Sequence, residues 1–284
     1  MIPRSMSRRR LVNRLMSLVA AASAAIGIFF LAWILIVVIQ KGIGGISFDF
    51  FTRLPTPPGI PGGGMLSAIL GTLLITVLAT LAGVPIGMLA GVFLGEYGIR
   101  SRLRDAVKFS ANVLMGTPSI IIGVFIYVLL VKPVGHFSGF SGAVALAVIM
   151  LPVVARTTED MLQLVPNTLR ESALALAAPR WQVTFNIVFR AARSGLLTGV
   201  LLAIARVSGE TAPLLFTALN SPNWIDSLGE PTANLTVTIF NYAMSPYSDW
   251  QQMAWGASLL ITGGILILTI AARLMFESEK RKRP

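Results

Sequence analysis

Residues 203–216 read AIARVSGETAPLLF and place a guanidinium and a carboxylate four residues apart inside an apolar run. On a helix, Arg206 and Glu210 at i, i+4 share one face. Ser208 and Thr211 add hydroxyls beside them, Gly209 permits close backbone approach, and Pro213 frees a carbonyl within the run. Two readings compete. The pair could lock two membrane helices together, or it could line a polar path, since ionisable groups inside a bilayer usually face a bundle interior or a water-filled cavity. A static bridge has no need of the polar collar. Arg156, followed by Thr157, Thr158 and Glu159, is a second candidate, and its position fits equally a basic anchor at a membrane surface. Thr117 and Ser119, in the sequence GTPS at 116–119, form a third polar break, which a kink at Pro118 explains equally well. The chain has no cysteine and a single histidine, His136, so thiol chemistry is excluded and a histidine-based metal site is disfavoured.

The elements that must carry these residues are membrane spans. Of the 284 residues, 55% are hydrophobic and 12% charged, about half the charge of an ordinary soluble domain. A span needs about 20 apolar residues. Six stretches meet or approach that: Leu18–Ile39, Leu66–Leu94, Ala111–Val131, Phe140–Ala155, Gly195–Leu219 and Met253–Ala272. The fold class that follows is an all-α integral membrane protein of six transmembrane helices. The first stretch is too long for a signal-peptide core and reads as a retained span. Arg206, eleven residues past Gly195, falls about 16 Å into its span, close to the middle of the hydrocarbon layer.

Charge gives the orientation. The N-terminus, the loop near 95–110, the loop 156–194 and the C-terminal tail hold 19 basic residues, and the opposite set holds only Lys41, Arg53 and Lys132. The positive-inside rule makes both termini cytoplasmic and accounts for the net charge of +11 without nucleic acid. Residues 1–17 and 276–284 read as cytoplasmic tails around a membrane domain at 18–275. On the outer side, RLPTPPGIPGGG (53–64) excludes regular structure. NLTVTIFNYAM reads as a short helix lying at the surface, and Trp224, Trp250 and Trp255 as residues of the membrane–water boundary.

The loop 156–194 is too patterned for a bare connector. TLRESALALAA predicts a compact helix with Thr168 as N-cap and Glu171 three residues on, as in a capping box, ended by Pro179. The helix could lie on lipid, or its small side chains could admit a cytoplasmic partner. The sequence ESALALAAPRWQ resembles the EAA loop of bacterial ABC importer permeases. With LPVVARTTEDMLQLVPNTLRESALALAAPRWQ and ARVSGETAPLL, the stretch of roughly 65–275 is similar to the A-type membrane subunits of phosphate-specific ABC importers. Ala177 stands where those proteins usually have glycine, Ser172 replaces their second EAA-loop residue, and Arg190 occupies the place of a common proline, which implies a straighter arm.

The resemblance implies a type I importer permease (MetI-like) whose coupling helix, Glu171, Ser172, Ala173, Leu174, Ala175, Leu176, Ala177 and Ala178, sits in a groove of a separate ATPase. No GxxxxGK[ST] phosphate loop is present, so ATP and Mg would belong to that partner and this chain would carry no cofactor and no catalytic residue. The implied assembly has a second, PstC-like permease, two ATPase copies and an external phosphate-binding protein meeting loops 41–64 and 220–252. Within it, Arg206 would hold inorganic phosphate through paired hydrogen bonds. Glu210 would neutralise Arg206 when the site is empty and accept the P–OH proton that sulfate lacks. Arg156 would lie on the exit path. Sulfate or molybdate on the same architecture, and an ion-coupled secondary transporter, are the competing functions. The second lacks an inverted repeat and has no use for a docking loop.

Overall fold

The computed structural model describes residues 6–60, 62–98 and 101–281. Helix α1 (Met6–Gly42) leads through a 3-10 turn to α2 (Phe48–Thr52) and, past the Pro/Gly loop, to α3 (Leu66–Val92), which continues as π-helix to Tyr97. Next come α4 (Arg102–Gly116), α5 (Ser119–Ile126), the short α6 (Lys132–Val134) and the central α7 (Gly139–Gln163). Helix α8 (Asn167–Ala175) and the turn α9 (Arg180–Gln182) precede α10 (Phe189–Ser208). The chain closes with α11 (Ala212–Leu215), α12 (Leu235–Ala243) and α13 (Ser248–Arg281).

Among the described residues, five helices are long and apolar enough to cross a bilayer, and the bent pair Arg102–Gly116 with Ser119–Val134 brings the number to six when it is counted as one span. Spans one, two, four and six fall where hydropathy places them, with longer ends; much of the tail expected at 1–17 is already helical in α1, and most of that expected at 276–284 in α13. Residues 1–5 and 282–284 lie outside the described residues.

Two spans differ from expectation. The stretch Ala111–Val131 is no single helix: the chain turns by 106° between Gly116 and Ser119, because Pro118 disfavours helical backbone at Thr117, which is extended. The stretch Gly195–Leu219 is broken as well. Its helix starts earlier, as the run Arg180–Ser208 with a π-helical turn at Val183–Val188, and stops at Ser208. Hydropathy sees an uninterrupted apolar run there and cannot see that Gly209 and Pro213 together release the helix.

Small residues set the packing. Gly83, Gly87 and Gly91 recur every four residues on α3 and lie against Ala147, Leu151, Val154 and Thr158 of α7. Gly195 and Gly199 of α10 lie against Met161 and Thr157 on another side of α7. Without water to drive apolar surfaces together, membrane helices gain association from such close backbone approach. Helix α7 is therefore held between α3 and α10, and Leu146, Met150 and Val154 of α7 join Ile75, Ala79, Ala203 and Val207 in one core. Helix α1 packs mainly by its C-terminal end, where Gly42 and, just beyond it, Gly45 meet Leu259 and Gln252; its side chains from 8 to 34 are exposed.

Helix α12 does not lie at the surface. Leu235, Thr236, Val237, Thr238 and Tyr242 are buried, in contact with α3, α11 and α13. Trp250, expected at the membrane boundary, stacks on Tyr242 with centroids 4.2 Å apart and planes 10° from parallel. Trp224 is exposed, and Trp255 lies under the ammonium of Lys41.

A Cβ at Gly87 would stand 2.9 Å from Leu151 O and Val154 Cβ. Gly87→Leu is expected to spread α3 from α7 at a cost of about 1–3 kcal/mol or more, lowering the melting temperature in detergent, whereas Gly27→Leu, whose Cβ meets nothing within 4 Å, leaves it unchanged.

Candidate transport site and coupling surface

Depth can be read from the ridges. Gly199 abuts Thr157, and Arg206 is seven residues further along α10, about 10 Å toward the Gly139 end of α7. From Thr157, α7 runs about 27 Å back to Gly139 and about 9 Å on to Gln163. Arg206 thus stands near mid-depth of the bundle, as its sequence position requires. The local geometry differs from a continuous helix face. Arg206 is in the last turn of α10, Glu210 lies beyond the helix end, and Nε–Oε1 is 4.0 Å. The Arg206 side chain is 52% exposed and that of Glu210 16%, so the guanidinium looks out of this subunit while the carboxylate is mostly enclosed.

The chain tightens as it leaves α10: Gly209 N donates to Arg206 O and Glu210 N to Val207 O. The Glu210 carbonyl accepts from Thr236 Oγ1 at 2.8 Å. Ser208 is not beside Arg206. Two positions on a helix differ by about 200°, and Ser208 lines instead an apolar groove of about 540 Å³ with Thr72, Thr76 and Thr80, its hydroxyl bonded to Ile204 O. Thr211 is half-buried in the break. Thr117 bonds Val113 O at the α4–α5 bend, and Ser119 opens α5, whose Gly123 packs on Pro213.

Arg156 is not brought to Arg206. Its Nη1 donates to Glu159 Oε2 at 2.9 Å and its Nε faces Asp160 at 3.4 Å. Glu159 is fully buried and also receives Arg104 Nη2, Lys108 Nζ and Gln163 Nε2. The sequence names Glu159 only as a neighbour of Arg156, with no role of its own. The available signal was an acid one turn from Arg156; its two other cations lie about fifty residues away and only the α4–α7 contact joins them.

A second clamp holds the coupling segment. Arg170 Nη2 meets Glu96 at 2.6 Å, and its guanidinium also donates to Leu162 O and Val165 O. Arg170 on α8 is thereby fixed to the ends of α3 and α7, another contact absent from any local motif. Helix α8 starts at Asn167 behind Pro166, with no side-chain cap. Thr168 thus sits inside the helix rather than capping it, because proline's fixed φ starts a helix without a hydroxyl. Ala177 N bonds Leu174 O and Ala178 N bonds Ala173 O, a Schellman closure in which Ala177 takes φ +57°. That is the position where resembling proteins carry glycine, and alanine is strained there by about 1 kcal/mol. Of the eight loop residues singled out, Ala173 is buried and Ala178 half-buried, whereas Glu171, Ser172, Leu174, Ala175, Leu176 and Ala177 are exposed. The helix offers an outward surface of leucine and alanine.

Residues 83–281 match the family described as binding-protein-dependent transport system inner membrane component. The chain belongs to this family. The permease is 50% identical over 272 residues to a phosphate transport system permease protein PstA of Haemophilus influenzae, covering 96% of each chain. It is 47% identical to the protein of that name from Yersinia pestis, covering 96% of this chain and 92% of the other. Among solved structures it resembles a chain of a bacterial alginate ABC transporter (TM-score 0.65, 15% identity, 95% and 96% covered). It also resembles a chain of the MetNI methionine ABC transporter (TM-score 0.64, 20% identity, 75% and 95% covered). The permease is an all-helical transport component of the ABC importer fold.

Glu159 generates the test of this region. Glu159→Gln removes the charge that three cations share. The permease is expected to lose about 2–4 kcal/mol, less than a wholly buried pair would because the cations keep access to solvent. The readout is thermal unfolding of the assembled complex, with Asp105→Asn on the exposed face of α4 leaving the melting point unchanged.

Proposed function

We propose that the permease is the A-type membrane subunit of an ATP-driven phosphate importer and that Arg206 and Glu210 face the path the anion takes. The observation that carries the reading is a guanidinium at mid-depth, half-exposed on the surface of the lone subunit, beside a helix break. A charge in that place is stable only against water or a partner, and a second, PstC-like permease placed on this face would close the path around it. The names of the relatives supply the substrate. Glu210 accepts the proton of a P–OH group and faces sulfate with an unmatched negative charge, which disfavours the wrong anion. Thr211 borders the pair. Ser208, Thr117 and Ser119 support the breaks in spans five and three. Arg156 acts near the end of the path at which Glu159 gathers the cations.

Energy enters through α8. The exposed face from Glu171 to Ala178 docks on one of two ATPase copies that bind ATP and Mg, and the Arg170–Glu96 clamp passes its displacement to α3 and α7. Both termini and α8 are cytoplasmic, in line with the basic residues gathered at that end, in an inner membrane. Loops 41–64 and 220–252 meet an external phosphate-binding protein; a cleft of about 730 Å³ lies between them, walled by Pro55, Pro57, Trp224 and Trp250.

The deciding experiment is uptake by the complete importer carrying Glu210→Gln. Phosphate-over-sulfate preference is expected to fall about tenfold or more, the scale of one mismatched buried charged contact. Unchanged preference contradicts the role given to Glu210, and sulfate or molybdate uptake exceeding phosphate in the parent complex contradicts the substrate.

A further inference from the structure

The short helix α12 stands inside the bundle with polar side chains that a packing role does not require. Asn234, Thr236 and Thr238 are 1%, 8% and 2% exposed. Two of them bond the broken stretch that follows α10: Asn234 Nδ2 donates to Leu219 O at 3.2 Å and Thr236 Oγ1 to Glu210 O at 2.8 Å. Thr238 Oγ1 donates instead to Asn234 O at 2.7 Å, with Asn220 Oδ1 3.3 Å away. The Thr236 hydroxyl also lies 3.1 Å from Asn234 Oδ1, but that oxygen already accepts from Val237 N. The shorter contact and the otherwise unfilled acceptor both assign its proton to Glu210 O.

On its other sides α12 is fixed to the scaffold. Leu235 N donates to Thr72 Oγ1 of α3, and Tyr242 stacks on Trp250 of α13. The helix is a wedge with one hydroxyl on the carbonyl of the acidic member of the pair. Holding that carbonyl fixes the peptide plane between Glu210 and Thr211, and with it the direction in which the Glu210 side chain leaves the backbone.

We propose that Thr236 is a positioning residue of the transport site: it aims the Glu210 carboxylate at Arg206 through the main chain and makes α12 the link between the loop 220–252 and the pair. The inference rests on the reading of Arg206 and Glu210 as substrate-facing. Proximity effects make such aim count, since a displacement near 1 Å can alter a rate by about a hundredfold.

The test uses the complete importer with its binding protein, measuring phosphate uptake against concentration and normalised to assembled complex. Thr236→Val keeps the volume and removes the donor; Thr236→Ser keeps the donor. Val is expected to lower maximal uptake about tenfold and Ser to stay within about twofold of the parent. In a Glu210→Gln background, Val is expected to add little, because the two substitutions act on one contact. Should Val fail to assemble, Thr236→Ala carries the same comparison with less bulk. Parental uptake in Val, equal losses in Val and Ser, or full multiplication of the Val and Gln effects overturns the inference. Parental uptake in Val with impaired Glu210→Gln removes only the role of Thr236, whereas parental uptake and selectivity in Glu210→Gln removes the underlying reading of the pair.

Discussion

A backbone that stops being helical at mid-depth must find partners for its amides and carbonyls within the protein, because hydrocarbon offers none. The stretch from Gly209 to Asn234 meets that requirement in an ordered way. Gly209 and Glu210 turn their amides back on the last turn of α10, Thr217 O accepts from Ser138, and Thr232 N donates to Ala218 O. Glu210 O and Leu219 O are taken by side chains of α12. Within this stretch Pro213, Leu214, Thr217, Ala218, Thr232 and Ala233 are buried in protein, the condition under which broken membrane helices occur. The break presents Glu210 from a loop while Arg206 remains in the last turn of α10, so the two charges belong to different elements.

The opposite end of the bundle relies on charge rather than backbone. Glu159 gathers α4 and the end of α7, and Arg170 ties α8 to the ends of α3 and α7. These two clamps share α7, and α7 packs along the small-residue ridge of α10 that ends in Arg206. In the proposed function, a push on α8 would reach the pair Arg206–Glu210 through packed helices and these two ion-paired nodes. Coupling of this kind needs two discrete arrangements of the same elements, and the breaks at Pro118 and Gly209 are the places where the backbone can supply the second.

Much of this was legible in the sequence. Hydropathy located the spans, the position of Arg206 within its apolar run gave mid-depth, and TLRESALALAA at 168–178 gave a compact helix. What escaped has a common physical cause. Hydropathy averages over a window, so it could not distinguish a helix from an apolar helix–break–helix, and it ran spans three and five straight through Pro118 and Gly209. The apolar character of NLTVTIFNYAM also placed α12 at the surface; in the folded chain the helix is buried and the Thr236 hydroxyl satisfies a neighbouring segment. The roles of Glu159 and Arg170 escaped because their partners are about fifty and seventy residues away. Ala177 reads in the sequence as a departure from glycine, and the structure gives its meaning as a positive φ.

The central claim is that Arg206 and Glu210 border a watery path open to the anion. The chain contains no cysteine, so one introduced thiol reports on one place. Gly209 lies between the two charges, is exposed, and has room for a side chain. In the assembled importer, Gly209→Cys should react with a charged, water-soluble thiol reagent and be protected when phosphate is present during transport. A thiol that reacts only with lipid-soluble reagents, or reacts identically with and without phosphate, would contradict the account.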